Sequence, residues 1–239
     1  MTIVAICIEP GAVETGFAKE LANRLNLRLC DLRRFEADIA ERSDFGDGKL
    51  HSLVHHRSRR LRNWCVEGTE LAARIREEVL QHVIEGDALI VGWSAIPVLR
   101  NFEHVAKVMV RAPLRFRHFA AMRQLAYREL GTAELEIDSA DALIDRFVQR
   151  LFATDWRDPA NYDVVLDADR IPATLQVDLV KVLAASDRFQ EAPGVRARVE
   201  AALEMLRLHE SWSADQEAAG ANQVTVAAGS SGGPGRYLQ

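Results

Sequence analysis

The chain is short of cysteine, with three in 239 residues: Cys7, Cys30 and Cys65. They are widely spaced and odd in number, and no CxxC pair occurs, which excludes a disulfide scaffold and the usual zinc motifs. His55 and His56 share no metal-ligand spacing with any cysteine, so no metal site is expected. Positive charge is not in excess either. Thirty Lys and Arg stand against 35 Asp and Glu, a formal net charge of −5, which argues against nucleic acid or an acidic membrane as a partner. The opening Ile3-Val4-Ala5-Ile6-Cys7-Ile8 is the only apolar start, and it stops at Glu9-Pro10-Gly11, far short of a membrane span. It lacks a basic leader and a small-residue cleavage site, so no targeting segment is expected. Neither a G-x-S-x-G elbow nor Ser-His-Asp spacing is found, which leaves hydrolase chemistry without support. A cytoplasmic protein is the expectation.

What is present is an alternation. Residues 3–8, 27–30, 88–92, 105–110 and 163–166 are short apolar runs of the kind buried on both faces in a parallel sheet. Between them, Phe17 to Leu27, Val66 to Ile84, Arg115 to Leu130, Asp138 to Phe152 and Thr174 to Leu183 carry helical spacing, with Asp138 expected as an N-cap. The pattern predicts an α/β fold in three layers, a parallel sheet of about five strands with helices on both faces. Residues 1–186 are expected to form this domain and 187–212 a helical extension. Residues 213–239, rich in Ala, Gly and Ser, are expected to be disordered.

The turn from the first strand to the first helix is where such folds bind phosphate, on backbone N–H groups at a helix N-terminus. Here it reads Gly11-Ala12-Val13-Glu14-Thr15-Gly16-Phe17-Ala18. Gly11 and Gly16 match the outer glycines of G-x-x-x-x-G-K-[ST], with Phe17 and Ala18 replacing the lysine and the hydroxyl. A second register puts Glu14 in the lysine place and Thr15 in the hydroxyl place. Both registers lack the lysine, and a plain strand–helix turn that needs two flexible residues accounts for the glycines equally well.

Three segments together resemble the cytidylate-kinase-like family: IVAICIEPGAVETGFAKELANRLNL followed by Asp31, DALIVGWSAIPVLRNFEHVAKVMVRAPLRFR, and FATDWRDPANYDVVLDADRI. The most specific marks are Ala112-Pro113 after a strand, Arg117 four residues beyond Pro113, and Asp155-Trp156 followed by Tyr162-Asp163. The resemblance implies a P-loop kinase fold that moves the γ-phosphoryl of ATP to a pyrimidine nucleoside monophosphate, with Mg²⁺ as cofactor. It implies that Gly11, Thr15 and Gly16 line the phosphate loop and that Arg117 faces ATP phosphates. It further implies that Asp31 stands at the mouth of the monophosphate site. His51 to Arg62, with Arg57 and Arg60, would cover that monophosphate, although a run of charge is as readily a solvated face.

The departures from the family bear on activity. Its GRG-like turn is Gly92-Trp93-Ser94 here, and the arginine of its Asp-x-x-Arg lid pattern is Asp141, in Asp138-Ser139-Ala140-Asp141. Loss of one transition-state arginine costs about 10³–10⁵ in rate in related phosphoryl transfers. Asp138, Arg146 and Arg150 are the catalytic candidates left. Trp64, Trp93 and Trp156 either stack on a base or pack in the core. Asp163, Asp167 and Asp169 are read as turn residues or as water-mediated Mg²⁺ contacts. Two classes follow: a nucleoside-monophosphate kinase with weak or lost activity, or a non-catalytic kinase-fold protein that binds nucleotide or another protein.

Overall fold

The computed structural model of the chain describes residues 1–31, 64–124, 130–190 and 194–208. Five strands form one sheet: β1 (Ile3–Ile8), β2 (Arg28–Cys30), β3 (Ala88–Val91), β4 (Val105–Arg111) and β5 (Val164–Asp167), in the order β2-β3-β1-β4-β5. All four pairings are parallel, so every strand delivers its carboxyl end to the same rim of the sheet. The helices are α1 (Phe17–Leu25), α2 (Trp64–Glu85), α3 (Ala95–Leu99), α4 (Leu114–Gln124), α5 (Leu130–Phe152), α6 (Ala173–Ala184) and α7, over 195–208. This is the expected three-layer α/β architecture, a five-stranded parallel sheet with helices on both faces.

The layers follow from the two-residue period of a strand. Ile3, Ala5 and Cys7 of β1 pack with Ile75 and Val79 of α2, Phe147 and Val148 of α5, and Val199 and Leu203 of α7. Val4 and Ile6 point the other way, onto Phe17 and Leu21 of α1 and Val177 and Val180 of α6. Central position between β3 and β4 leaves no face of β1 wet, and residues 3–7 have no solvent exposure. Each fully buried aliphatic side chain there contributes about 1.5–3 kcal/mol relative to an exposed one.

The predicted strands agree with the observed ones to within a residue or two, as do α2 and α6. Two boundaries differ. The helix expected over Arg115 to Leu130 is α4, Leu114–Gln124, and Leu130 already belongs to α5. Asp138 is not an N-cap, because α5 already begins at Leu130 and Asp138 lies well inside it. The reason is a buried stripe, Ala133, Ile137, Ile144, Val148 and Leu151, whose helical spacing carries on past Asp138, Ser139 and Asp141. The five-residue α3 was too short to register as a helical period. The stretch expected to be disordered, 213–239, and the basic stretch from His51 to Arg62 lie outside the described residues.

The turn from β1 to α1 places two glycines in left-handed conformations, Gly11 at φ 77° and Gly16 at φ 102°. Their surroundings are opposite. A Cβ on Gly11 would lie 2.8 Å from the Arg117 carbonyl oxygen and 3.0 Å from Ile137 Cδ1, whereas one on Gly16 meets nothing within 4 Å. Gly16 is the N-cap of α1, without a side-chain hydrogen bond. At the far end of α1, Asn26 turns left-handed and Leu27 N–H donates to the Ala22 carbonyl at 2.9 Å, closing the helix in a Schellman arrangement.

Two predictions follow from the β1 strand and its turn. Gly11→Ala meets both backbone strain and a backbone atom that cannot yield, so it destabilises by more than about 2 kcal/mol, while Gly16→Ala incurs the left-handed penalty alone, about 1–2 kcal/mol. Urea melts of the two variants should therefore rank Gly11→Ala as the less stable, and equal midpoints would refute the close packing. Burial pushes the Cys7 thiol up to about 12, with a hydrogen bond from Tyr162 only partly opposing it. The folded thiol thus holds its proton through the range where an unfolded thiol loses it. Its contribution to stability is intact below about pH 8.5 and is lost as pH rises from there toward 12. Peptide mapping after native alkylation at pH 8 should find Cys7 unmodified, and rapid labelling would contradict its burial.

Candidate functional site

At the carboxyl rim the turn after β1 meets the N-terminus of α4 and the middle of α5. Glu9 directly follows the central strand, and the residue is only 6% exposed. A carboxylate in that position must be paired. Its Oε2 accepts from Ala112 N–H at 3.0 Å and lies 3.5 Å from Arg117 Nε, and its Oε1 accepts from Arg157 Nε at 3.0 Å. Glu9 therefore joins the ends of β1 and β4 to α4 and to the segment that precedes β5.

Arg117 lies in the first turn of α4 and is 5% exposed. Its Nε donates to the Ala112 carbonyl at 3.2 Å and one terminal nitrogen donates to the Pro10 carbonyl at 3.3 Å. Both terminal nitrogens grip the Asp141 carboxylate, at 3.0 and 2.8 Å. Such a bidentate, charge-assisted pair is the strong form of the contact. Arg157 completes the group. It pairs with Asp141 at 2.9 Å and with Asp145, and its guanidinium carbon stands 4.0 Å from the centre of the Trp156 ring. Trp156 Nε1 donates to Asp145 at 2.6 Å. Burial pulls the Arg157 pKa down, but the attraction of Asp141, Glu9 and Asp145 outweighs it and the net shift is upward. Arg157 keeps its charge.

Three carboxylates face two guanidiniums, which leaves one net negative charge beside the turn. The turn itself begins α1 at Phe17, immediately after Gly16, so the helix starts where the first of the two registers places the lysine. The Phe17 ring is 5% exposed and packs in the core with Leu21 and Val177. Glu14 and Thr15 are exposed.

The other singled-out residues are dispersed. Asp31 follows β2 on the opposite flank of the sheet from β5. Asp138 pairs with His118 of α4 at 3.3 Å, and Arg146 and Arg150 are exposed on α5. Arg57 and Arg60 lie outside the described residues. Trp93 is buried against Phe147, edge to face at 4.3 Å, and Trp156 is 1% exposed, so both are packed rather than open to a base. Asp163 accepts from the Lys107 backbone N–H of β4 at 2.8 Å, a tie between neighbouring strands, and Asp167 accepts from Asp169 N–H at 3.1 Å, as a turn residue does.

The structure thus brings Gly11 and Arg117 together and adds three residues that sequence reasoning did not select: Glu9, Asp145 and Arg157. Glu9 left a signal, a carboxylate closing the most apolar strand of the chain. Arg157 left none of its own, since its partners are 148, 16 and 12 residues away.

Comparison with known proteins agrees with this architecture. An uncharacterized protein from Eubacterium ventriosum ATCC 27560 superposes with a TM-score of 0.58 at 16% identity, over 77% of this chain and 97% of its own. Shikimate kinases from Bacteroides thetaiotaomicron and Acinetobacter baumannii give TM-scores of 0.45 and 0.44 at 12% identity each, over 77% and 80% of this chain and 98% and 96% of theirs. No curated protein matches the sequence. The sequence profile of the cytidylate kinase-like family matches residues 3–170, from the first residue of β1 to just beyond β5, and the chain belongs to that family.

Proposed function

We propose that this protein is a divergent cytidylate-kinase-like protein in which phosphoryl transfer from ATP to a pyrimidine nucleoside monophosphate is weak or lost. One observation carries the reading: both guanidiniums beside the phosphate-loop position, Arg117 and Arg157, are already engaged by Glu9, Asp141 and Asp145. Phosphoryl transfer is mostly positioning and neutralisation of charge by Lys, Arg and Mg²⁺. A cation held by the protein's own carboxylates neutralises nothing further. A further anion brought to within about 4 Å of the surplus negative charge of this cluster meets a repulsion of about 1 kcal/mol in water and about 4 kcal/mol near a protein surface.

The residues present do not fit a tightly clamped Mg·ATP. The side chain in the lysine's place is a phenyl ring turned into the core, and Glu9, the carboxylate at the base of the turn, is committed to Ala112 N–H and the two arginines. Helix-end amides at residues 15–18 contribute about 1 kcal/mol toward an anion at most. If turnover persists, Arg117 with Arg146 or Arg150 would have to supply it, and Asp31, Thr15 and Gly16 would have to hold the substrates.

The buried Phe17 favours the second reading within the same family, a non-catalytic kinase-fold protein that binds nucleotide or a protein partner. A buried ring in the first turn of α1 secures the fold and gives up the phosphate contact. A cytoplasmic setting goes with either reading; among the described residues no helix is long and apolar enough to cross a membrane.

The test is a coupled ADP-release assay with purified protein, Mg·ATP and each nucleoside monophosphate in turn. Turnover is expected below about 10⁻² s⁻¹, against about 1–100 s⁻¹ for kinases with intact clamps. Calorimetric titration with ATP, run beside it, separates a binding protein from one that ignores nucleotide. Robust turnover that is lost in Arg117→Ala would sink the proposal and identify Arg117 as a working clamp.

A further inference from the structure

We propose that the outer face of α6 is a two-fold interface on which a second copy of this chain docks, helix against antiparallel helix. The inference is independent of the functional reading, because no residue of the cluster beside the β1–α1 turn takes part in it.

α6 is apolar on two faces, and the sheet uses only one. Val177, Val180 and Ala184 turn inward, into the layer that holds Phe17 and Leu166. Leu175, Leu179 and Val182 line the opposite face at helical spacing and are 49%, 41% and 73% exposed. A surface helix ordinarily sets charge opposite its buried stripe, and a helix that is apolar all round is covered. Among the described residues eight large apolar side chains are exposed, and three of them fall on this one helix of 12 residues. Scattered singly they would need no explanation, but a continuous row marks a contact surface.

The charges beside the row say what covers it. Asp178 and Lys181 are the only charged side chains of α6, and both are exposed. At about 100° per residue they lie on the same flank of the row. An antiparallel helix pair related by a two-fold axis sets each flank against its own counterpart, so that residue i meets j and j meets i. Centring such a pair on Leu179 sets Leu179 against itself and Leu175 against Val182 of the second copy. The same register brings Asp178 beside Lys181 of the second copy, and by symmetry the reverse. One register thus satisfies the apolar row and both charges. A parallel pairing would turn the charged flank toward the side of α6 that packs on the sheet and leave the charges unmatched. An unrelated partner would not need a pattern complementary to itself.

The surface is also fixed in advance. The Gln176 and Gln190 side chains donate to the Ile171 and Ala184 carbonyls, at 2.6 and 2.9 Å, and tie down the two ends of α6. Arg24 of α1 pairs with Asp178 Oδ1 at 3.2 Å, and both side chains stay more than half exposed. Asp178 is therefore positioned and still accessible. A row presented by a rigid helix loses little conformational freedom on docking, which favours a small interface.

Analytical ultracentrifugation of the full chain tests this, at loading concentrations from about 5 to 300 µM, the range suited to a small interface. Wild type should pass from monomer to dimer across that range and go no further, because a two-fold contact closes on itself. Leu179→Lys, at the centre of the pair in both copies, should weaken association by about tenfold or more. Asp178→Lys and Lys181→Asp should each weaken it about tenfold, since each sets like charges together at both ends of the pair. An equimolar mixture of these two single variants should recover most of the association, because each supplies the charge that the other lacks. Every substituted side chain is exposed, so melting temperatures should stay near wild type; should Leu179→Lys unfold, Val182→Lys is read in the same way. Association that grows beyond the dimer, a dimer unmoved by both lysine substitutions in the row, or a mixture as weak as its components would overturn the inference. A wild type that stays monomeric throughout would also overturn it and assign the row to another protein or to another segment of this chain. The readout is mass, so slow or fast ADP release leaves it as it stands.

Discussion

Glu9 is a carboxylate that the fold places at the end of its central strand, where water cannot serve it. An unpaired charge so placed would cost several kcal/mol, so whatever surrounds it has to supply donors. The donors come from three directions: Ala112 N–H at the end of β4, Arg117 from α4, and Arg157 from the segment before β5. Two arginines brought to one carboxylate then need further negative charge of their own, and Asp141 and Asp145 of α5 provide it. The position of α5 over the β1–α1 turn, the tight contact at Gly11 and the stacking of Arg157 on Trp156 all belong to this chain of requirements.

The two guanidiniums beside the β1–α1 turn are engaged by the chain's own carboxylates, and the turn is held by a helix and this ion network. Buried ion networks contribute little stability compared with well-packed apolar residues of similar size, yet breaking one by removing a single member is expensive. The cluster therefore fixes the arrangement of α4, α5 and the turn more than it deepens the stability of the fold. That fixed arrangement is what gives the two guanidiniums a common target.

Much of the architecture was legible because parallel strands buried on both faces appear as short uninterrupted apolar runs, and Ile3 to Ile8 is the plainest of them. The start of α1 was legible from Gly16 and the Phe17–Leu21–Leu25 spacing. The start of α5 was not. Asp138 resembles an N-cap, and the polar stretch around it hides a stripe from Ala133 to Leu151 that only packing against α4 and the sheet makes compulsory. Asp141 falls on that stripe, between Ile137 and Ile144, and an acid on a buried face is a sign that a cation waits opposite. The sequence marked Arg117 through its spacing from Pro113, but no local pattern could join Glu9 to Arg157 across the length of the domain. The turn from β1 to α1 reads equally in two registers from the sequence, and the structure adds that the helix starts at Phe17.

The central place of β1 also governs the order in which the molecule can be made. β1 leaves the ribosome before both of its partners, β3 and β4, whose residues begin at 88 and 105. Until then its apolar backbone has two unsatisfied edges, for roughly 5–20 s of synthesis at ordinary elongation rates. The sheet therefore cannot assemble progressively from the N-terminus. It must close late, around a strand made early, and every pairing of β1 spans a long stretch of sequence, a topology that folds slowly. The antiparallel bridge between Thr2 and Gln190 extends the wait, because the residue just ahead of β1 is secured only when the chain beyond α6 has been made. For this protein the nascent chain, with the strongly apolar hexapeptide of β1 made and still unpaired, is the form most in need of a chaperone.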